Sequence, residues 1–276
     1  MAAVCRTLGV ARSWLYYVRR GRARVQALRR PEVATAIRAV LPGRPASYGY
    51  RRIHALLVRG GLRCDPKTVY RQMRRHRWLA VGRRQRPRPG RRHDGQVAVA
   101  TPNRRWATDI TTLKTGRGEK LRFAVIVDCA DRMILAWRGQ PRVRAEDIGE
   151  MVREALWQRF GPGLGRARGL EFLSDNGPEF SARRLRTLLA HLGLVRCHTP
   201  CRSPESNGLA ESFFGSFKRD YLAQHWVETR AELLGALPGW IRDDNEVAPH
   251  SALGMRAPAE FHREWVAKHG STPVQK

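Results

Sequence analysis

Acidic residues are scarce in this chain. Its 276 residues include 24 Asp and Glu against 52 Lys and Arg, a formal net charge of +28 at pH 7. That balance leaves a polyanion as the simplest partner, because each phosphate neutralised releases counterions; an anionic membrane surface is the weaker alternative. Long hydrophobic runs are missing too. No apolar stretch nears the roughly 18 residues that cross a bilayer, and neither a signal peptide nor an amphipathic anchor is legible. A cytoplasmic protein without membrane partners is therefore expected. Cysteines are few: Cys5, Cys64, Cys129, Cys197 and Cys201. An odd, scattered set argues against a disulfide framework and for reduced thiols. Cys197-His198-x-x-Cys201 has the form of half a zinc site, but no second pair completes it, so a structural role is expected. No Ser-His-Asp or Cys-His arrangement is legible, and no internal repeat.

What is present is unevenly placed. Residues 1–100 hold 25 Lys and Arg against 3 acids, while residues 101–276 hold 27 against 21. The excess charge belongs to the front third, which suggests a DNA-holding part followed by a chemical part. Residues 1–30 contain VCRTLGVARSWLYYVRR, which reads as helix, turn and helix. Within 31–81, apolar Tyr50, Ile53, Leu56 and Leu57 follow helical spacing, Gly60-Gly61 breaks it, and Asp65-Pro66 forms an N-cap with Pro at the first helical position. The next helix carries Lys67, Arg71, Arg74 and Arg75 as a basic stripe, with Val69 and Met73 left to pack. That is the layout of a helix-turn-helix whose second helix enters a major groove; the alternative is a helical pair with a solvated basic face. Residues 82–100 form an Arg- and Pro-rich linker in which Arg83, Arg84, Arg86 and Arg88 repel one another and extend the chain. It either lies along a phosphate backbone or is a solvated connector.

From residue 101 the period changes. Trp106 to Leu113 is strand-like, and Phe123 to Val127 is an apolar run suited to a strand buried on both faces. Ile134 to Trp137 is a third strand. Apolar residues from Ile148 to Phe160 follow helical spacing up to Gly161-Pro162-Gly163. Leu170 to Leu173 is a short strand running into Ser174-Asp175-Asn176-Gly177. A helix follows over Leu185 to Leu192, then a strand over Val195 to His198, then a helix of about four to five turns after Asn207-Gly208. The expected fold class is α/β: a mixed sheet flanked by helices over 101–225, a helical extension over 226–276, and small all-α segments in front.

Three acids stand out in this basic chain: Asp109 within the first strand, Asp175 just past the fourth, and Glu211 at the start of the late helix. Strand ends of open α/β sheets are where ligands bind. Three carboxylates in one pocket repel one another unless cations fill it, and hard oxygen ligands suit Mg2+ or Mn2+. Two such ions about 3.5–4 Å apart hold the attacking and leaving oxygens of an in-line displacement at phosphorus, so the protein needs no nucleophile of its own. Lys218 follows Glu211 by seven residues, close to two turns, and so shares its helix face. It is placed to grip a phosphate beside the scissile one. Asp128, Asp131, Asp147 and Glu150 read as structural or surface acids.

The strings around these acids resemble the downstream-frame (OrfB) transposases of bacterial insertion sequences with two overlapping reading frames, which have a retroviral-integrase-like DDE core. The resemblance is carried by Trp106 and Asp109 in RWATDIT, by Asp175, Asn176 and Gly177 in SDNG, and by Glu211 and Lys218 in ESFFGSFKRDYL. SPESNG and PHSALG (Pro249 to Gly254) match as well, and the likeness runs from Cys5 to Phe261. It implies a ribonuclease-H-like fold, catalytic and metal-binding roles for Asp109, Asp175 and Glu211, and metal-dependent cleavage and strand transfer of DNA ends. It also implies an upstream-frame (OrfA) partner or a fusion with it, and a multimer on DNA. The chain departs from the pattern at 243–248, where Asp244 replaces a usual Tyr and Ala248 precedes Pro249. Two other functions are compatible with the composition: a DNA-binding protein or repressor without activity, and a hydrolytic nuclease of the same fold. The complete triad favours an enzyme over the first, and the appended basic segments favour strand transfer over the second.

Overall fold

The computed structural model describes residues 30–80, 99–162, 167–198 and 208–270, together with Cys5, Thr7, Gly9, Ala11, Ser13, Trp14 and Tyr16. Most of the helical pair expected before residue 18, and the whole linker stretch 82–93, fall outside the described residues. The chain divides into two compact units, Met1–Arg83 and Arg84–Lys276.

In the first unit α1 spans Pro31–Val40, α2 Tyr50–Arg59 and α3 Pro66–Arg75. Each buries the apolar residues its spacing sets on one side: Val33 and Ile37, then Ile53 and Leu57, then Val69 and Met73. The three faces close on one another. The chain leaves α2 at Gly60, and Gly61 takes φ +89°, a region a side chain would resist. Asp65 then caps α3 as expected, its Oδ1 accepting the Lys67 N–H at 2.6 Å, with Pro66 at the position where a missing N–H costs nothing.

The second unit is built on a five-stranded sheet. In chain order it runs β1 (Arg105–Lys114), β2 (Lys120–Asp128), β3 (Ile134–Gln140), α4 (Ala145–Phe160), β4 (Glu171–Ser174), α5 (Pro178–Ser181), α6 (Arg183–His191), β5 (Val195–His198), α7 (Gly208–Asp220), α8 (Arg230–Glu246) and α9 (Pro258–His269). The strand order is β3-β2-β1-β4-β5. The first three strands form an antiparallel meander; β4 joins β1, and β5 joins β4, in parallel. Alternation along the strands sends Trp106, Ala124 and Ile126 toward α4 and α6, and Leu113, Leu121, Phe123 and Val125 toward α7 and α8. Both faces are therefore covered, which is why the run Phe123 to Val127 is apolar without interruption.

The late helix is described from Gly208 onward. α7 has 13 residues, a little under four turns at 3.6 residues each. Past Tyr221 the backbone tightens into a 3-10 turn over Leu222–Gln224, and the His225 ring nitrogen meets the Tyr221 carbonyl at 2.8 Å. No helix of the described residues is long and apolar enough to cross a membrane.

Candidate active site

Strand register brings the first two acids to one level. β1 pairs in parallel with β4 from Arg105 opposite Glu171 to Ala107 opposite Leu173. Two residues further along each chain stand Asp109 and Asp175. Beyond that level β1 continues with β2 as far as Lys114 opposite Lys120, so the sheet opens at the end of β4, where ligand sites of α/β sheets form. Asp175 leaves the strand in a tight turn in which its Oδ1 accepts the Gly177 N–H at 3.0 Å. Gly177 keeps this turn uncrowded: a Cβ there would lie 3.0 Å from Asp175 Oδ1 and 3.2 Å from Glu179 Oε2, so those carboxylates would have to shift by a few tenths of an ångström.

The third acid arrives on a different element. α7 packs on β1 through Phe214 and Phe217, which puts Glu211 in its first turn and Lys218 in its last. Lys218 is half-buried, and its Nζ donates to Thr111 Oγ1 at 2.6 Å. Thr111 lies two residues from Asp109 on the same face of β1. Burial lowers the Lys218 pKa, against the opposing pull of the Asp109 charge.

Asp109 registers the whole cluster. Its carboxyl is pushed up to about 6, first by burial, then by the negative charges of Asp175 and Glu211. The Ile110 N–H, donated to Oδ1 at 2.7 Å, and the charge of Arg122 oppose that rise. The three carboxylates thus come from a strand, a strand end and a helix, and the two flanking ones act on the third through space. Among the described residues no group of three or more His, Cys, Asp or Glu is drawn close enough to form a preformed metal cage. The donor set nonetheless suits a hard divalent cation: three carboxylates, one of them raised in pKa by burial and by the other two, gain from a positive charge placed among them.

Two residues of this neighbourhood carry no legible signal in the sequence. Arg122 stands opposite Thr112 on β2 and Glu179 lies in the short α5. Only the antiparallel register and the turn after Asp175 bring them to the site. The acids read as structural have structural partners. Asp128 is fully buried and accepts N–H groups from Asn103, Ala130 and the Trp106 indole; burial and the nearby Asp131 push its carboxyl up. Asp131 takes Arg159 at 2.7 Å and His262 at 2.8 Å. Asp147 accepts the Arg144 N–H ahead of α4, and Glu150 faces Arg138 at 3.6 Å.

The stretch 243–248 closes the end of α8. Asn245 reads the edge of β3 with both ends of its amide: its Oδ1 accepts the Ile134 N–H at 2.8 Å and its Nδ2 donates to the Ile134 carbonyl at 2.9 Å. Asp243 accepts the Tyr221 hydroxyl at 2.9 Å, and Asp244 is buried with His250 Nε2 at 3.5 Å.

In the first unit, Lys67, Arg74 and Arg75 are exposed along α3, Arg71 is half-buried, and Val69 and Met73 are buried on the other side. A groove of about 580 Å³ between α1 and α3 is lined by Arg30, Arg38, Gln72, Arg75 and His76, among others. His76 stacks on Trp78 at 4.4 Å and Arg38 lies over the same indole. Arg83, Arg84, Arg86 and Arg88 lie outside the described residues, as does Cys201.

Comparison with known proteins finds family matches in both units. Residues 99–204 match the integrase core domain family, residues 195–258 match a second integrase core domain model, and residues 27–86 match an HTH-like domain. The chain is 39% identical over 178 residues to a protein of insertion element IS136 from Agrobacterium fabrum, spanning 64% of this chain and 91% of that one. It is 37% identical over 231 residues to Transposase InsD for insertion element IS2 from Escherichia coli, spanning 80% of this chain and 75% of that one. Among solved structures, it is similar to a chain of the simian T-cell lymphotropic virus intasome in complex with PP2A regulatory subunit B56 gamma. The TM-score is 0.52 at 16% identity, covering 78% of this chain and 70% of that one. That likeness concerns the fold, and with the sheet order it identifies the second unit as a ribonuclease-H-like integrase core.

Proposed function

The chain belongs to the integrase-core transposases of bacterial insertion elements, and from that premise we propose that it cuts the DNA ends of its element and joins them to target DNA, with Asp109, Asp175 and Glu211 as its catalytic carboxylates. One observation supports the assignment above the others. Asp109 is pushed up to about 6 by burial and by both other acids, so three carboxylates from three elements share one electrostatic neighbourhood. A protein keeps such a repulsive arrangement where function needs it.

These three side chains would hold Mg2+ or Mn2+, two ions per site. The chemistry expected of such ions is activation of the attacking hydroxyl and stabilisation of the departing 3′ oxygen. The remaining work falls to the chain's own groups. Asp109 must be ionised to serve as a ligand, which its pKa allows at neutral pH. Gly177 leaves room for Asp175 to turn into the site. Lys218, held by Thr111, presents a cation beside Asp109 for a phosphate next to the scissile one. α3 enters a major groove with Lys67, Arg71, Arg74 and Arg75, and the stretch holding Arg83, Arg84, Arg86 and Arg88 follows the backbone. In this reading residues 1–81 are DNA-binding segments, 82–100 a linker, 101–225 the catalytic core and 226–276 its helical extension. The protein works in the cytoplasm at the nucleoid, as a multimer on double-stranded DNA, with an upstream-frame protein as partner or fused to it.

The test is a joining assay with labelled element ends and Mg2+ or Mn2+, with and without the upstream-frame protein. Nicking at 3′ ends and joining are expected for the natural chain and should vanish in Asp175→Asn and Glu211→Gln. Activity that survives both substitutions would sink the assigned site. Cleavage with no joined product would make the protein a nuclease.

A further inference from the structure

Arg122 has no part in the site as assigned so far, yet it lies against it. We propose that Arg122 is a DNA-contacting residue of the active site, binding a backbone phosphate on the side of the carboxylates opposite Lys218. The inference rests on the reading of Asp109, Asp175 and Glu211 as the place where DNA is cut.

Its position follows from strand register. Arg122 pairs with Thr112, and Asp109 with Val125, on the same two antiparallel strands. Thr111 and Asp109 face the layer of α7, where Lys218 sits. Thr112 and Arg122 face the other layer, with α5. The two cations therefore approach the Asp109 level from opposite faces of β1, each near enough to be attracted by its charge. Through Glu179, Arg122 lies beside the turn of Asp175 and Gly177, so a DNA strand crossing the open end of β4 would meet Lys218 from one layer and Arg122 from the other.

The contacts of Arg122 leave its donors largely unused. It reaches Thr112 Oγ1 at 3.4 Å and Glu179 Oε1 at 3.6 Å. The first is at the limit of a hydrogen bond and the second is beyond it. Several other arginines of this unit close more firmly on an acid: Arg105 on Glu171 at 2.5 Å, Arg159 on Asp131 at 2.7 Å, Arg256 on Glu264 at 2.6 Å. Arg122 is instead tethered loosely, with its side chain 38% exposed. A guanidinium offers five N–H donors in a planar fork that matches a phosphate. Glu179 explains why the fork stays at the site. Its Oε2 and the Oδ1 of Asp175 both border the space a Gly177 Cβ would fill, so the acid that steers Arg122 stands beside a proposed catalytic acid. Arg122 thus remains poised, without collapsing onto the carboxylates that a cation is expected to occupy.

The experiment measures binding of the full chain to double-stranded element ends in EDTA, over a range of salt concentrations. Arg122→Ala should lower the slope of log affinity against log salt by about 0.9, the effect of one lost phosphate contact. Arg122→Lys should keep that slope, because the charge remains. In the joining assay with Mg2+, Arg122→Ala should lose about tenfold or more, with an unchanged melting temperature. A slope in Arg122→Ala equal to that of the natural chain would overturn the proposal. So would a loss of joining that tracks a lower melting temperature, which would mark a merely structural tether. The two readings fail separately. If Asp175→Asn and Glu211→Gln still join DNA, the catalytic assignment falls; if they are dead while Arg122→Ala keeps its slope, only the role of Arg122 falls.

Discussion

Asp109 is half-buried beside two other carboxylates, and its pKa is pushed up to about 6 in consequence. A carboxylate whose folded pKa lies above its unfolded one binds its proton more tightly in the folded state. Its contribution to stability is therefore favourable at acid pH and is lost as pH rises from about 4 through 6. In metal-free protein Asp109→Asn removes that repulsion. We expect it to melt at a higher temperature than the natural chain at neutral pH, with the gap closing toward about pH 4. Melting curves that coincide at neutral pH would contradict this. Added Mg2+ should raise the natural chain's melting temperature and not that of the variant, since a ligand stabilises the state it binds. The three acids were legible in the sequence because each sits in a string with its own local logic: a strand, a strand ending in a Gly turn, a helix start. Arg122 and Glu179 had no such logic. Arg122 precedes the apolar run of β2 and Glu179 follows a proline in a four-residue helix, so nothing near them in sequence points to Asp109.

The elements followed hydrophobic period closely. α3 begins at Pro66 behind its Asp65 cap, and α4 ends at Gly161, where the apolar spacing stops. What periodicity did not show is how the later helices are fastened. α9 is tied to the end of α4 through Asp131, whose side chain is fully buried and whose partner Arg159 is 3% exposed. Burial raises the Asp131 pKa, but the His262 hydrogen bond and the Arg159 charge outweigh it and hold it below the usual carboxylate range. The stability this confers is present above the unfolded pKa and is lost as pH falls through the depressed folded one. Arg159→Met leaves a buried carboxylate without its strongest cation, and should cost about 3–5 kcal/mol by chemical denaturation. Replacing Arg159 and Asp131 together by apolar residues should cost much less. A single substitution as mild as the double would show that Asp131 is not held by charge. The altered stretch 243–248 belongs to this scale as well. Asn245 supplies the backbone of Ile134 with both a donor and an acceptor at the edge of β3, so the end of α8 is fitted to the sheet in spite of its departures.

Across the whole molecule the charge is carried in front of the chemistry: residues 1–100 hold 25 of the 52 Lys and Arg and 3 of the 24 acids. With six to ten phosphate contacts, DNA affinity should fall by about 10³–10⁵ between roughly 50 and 200 mM salt. A fluorescence titration over that range checks it; a flat response would mean that the basic front third does not hold DNA through its phosphates. Composition alone determined this electrostatic character, because net charge is additive along a chain and needs no fold. Local pattern alone determined the order of strands and helices and which three acids to watch, because alternation and capping act within a few residues. The meeting of those acids was decided only in three dimensions. β1 and β4 are parallel neighbours far apart in sequence, and their register sets Asp109 level with Asp175. The packing of α7 on β1 delivers Glu211 and Lys218, and the shift in the Asp109 pKa exists only once that packing excludes water. Long-range register and burial are properties of the folded sheet, and no short stretch of the sequence contains them.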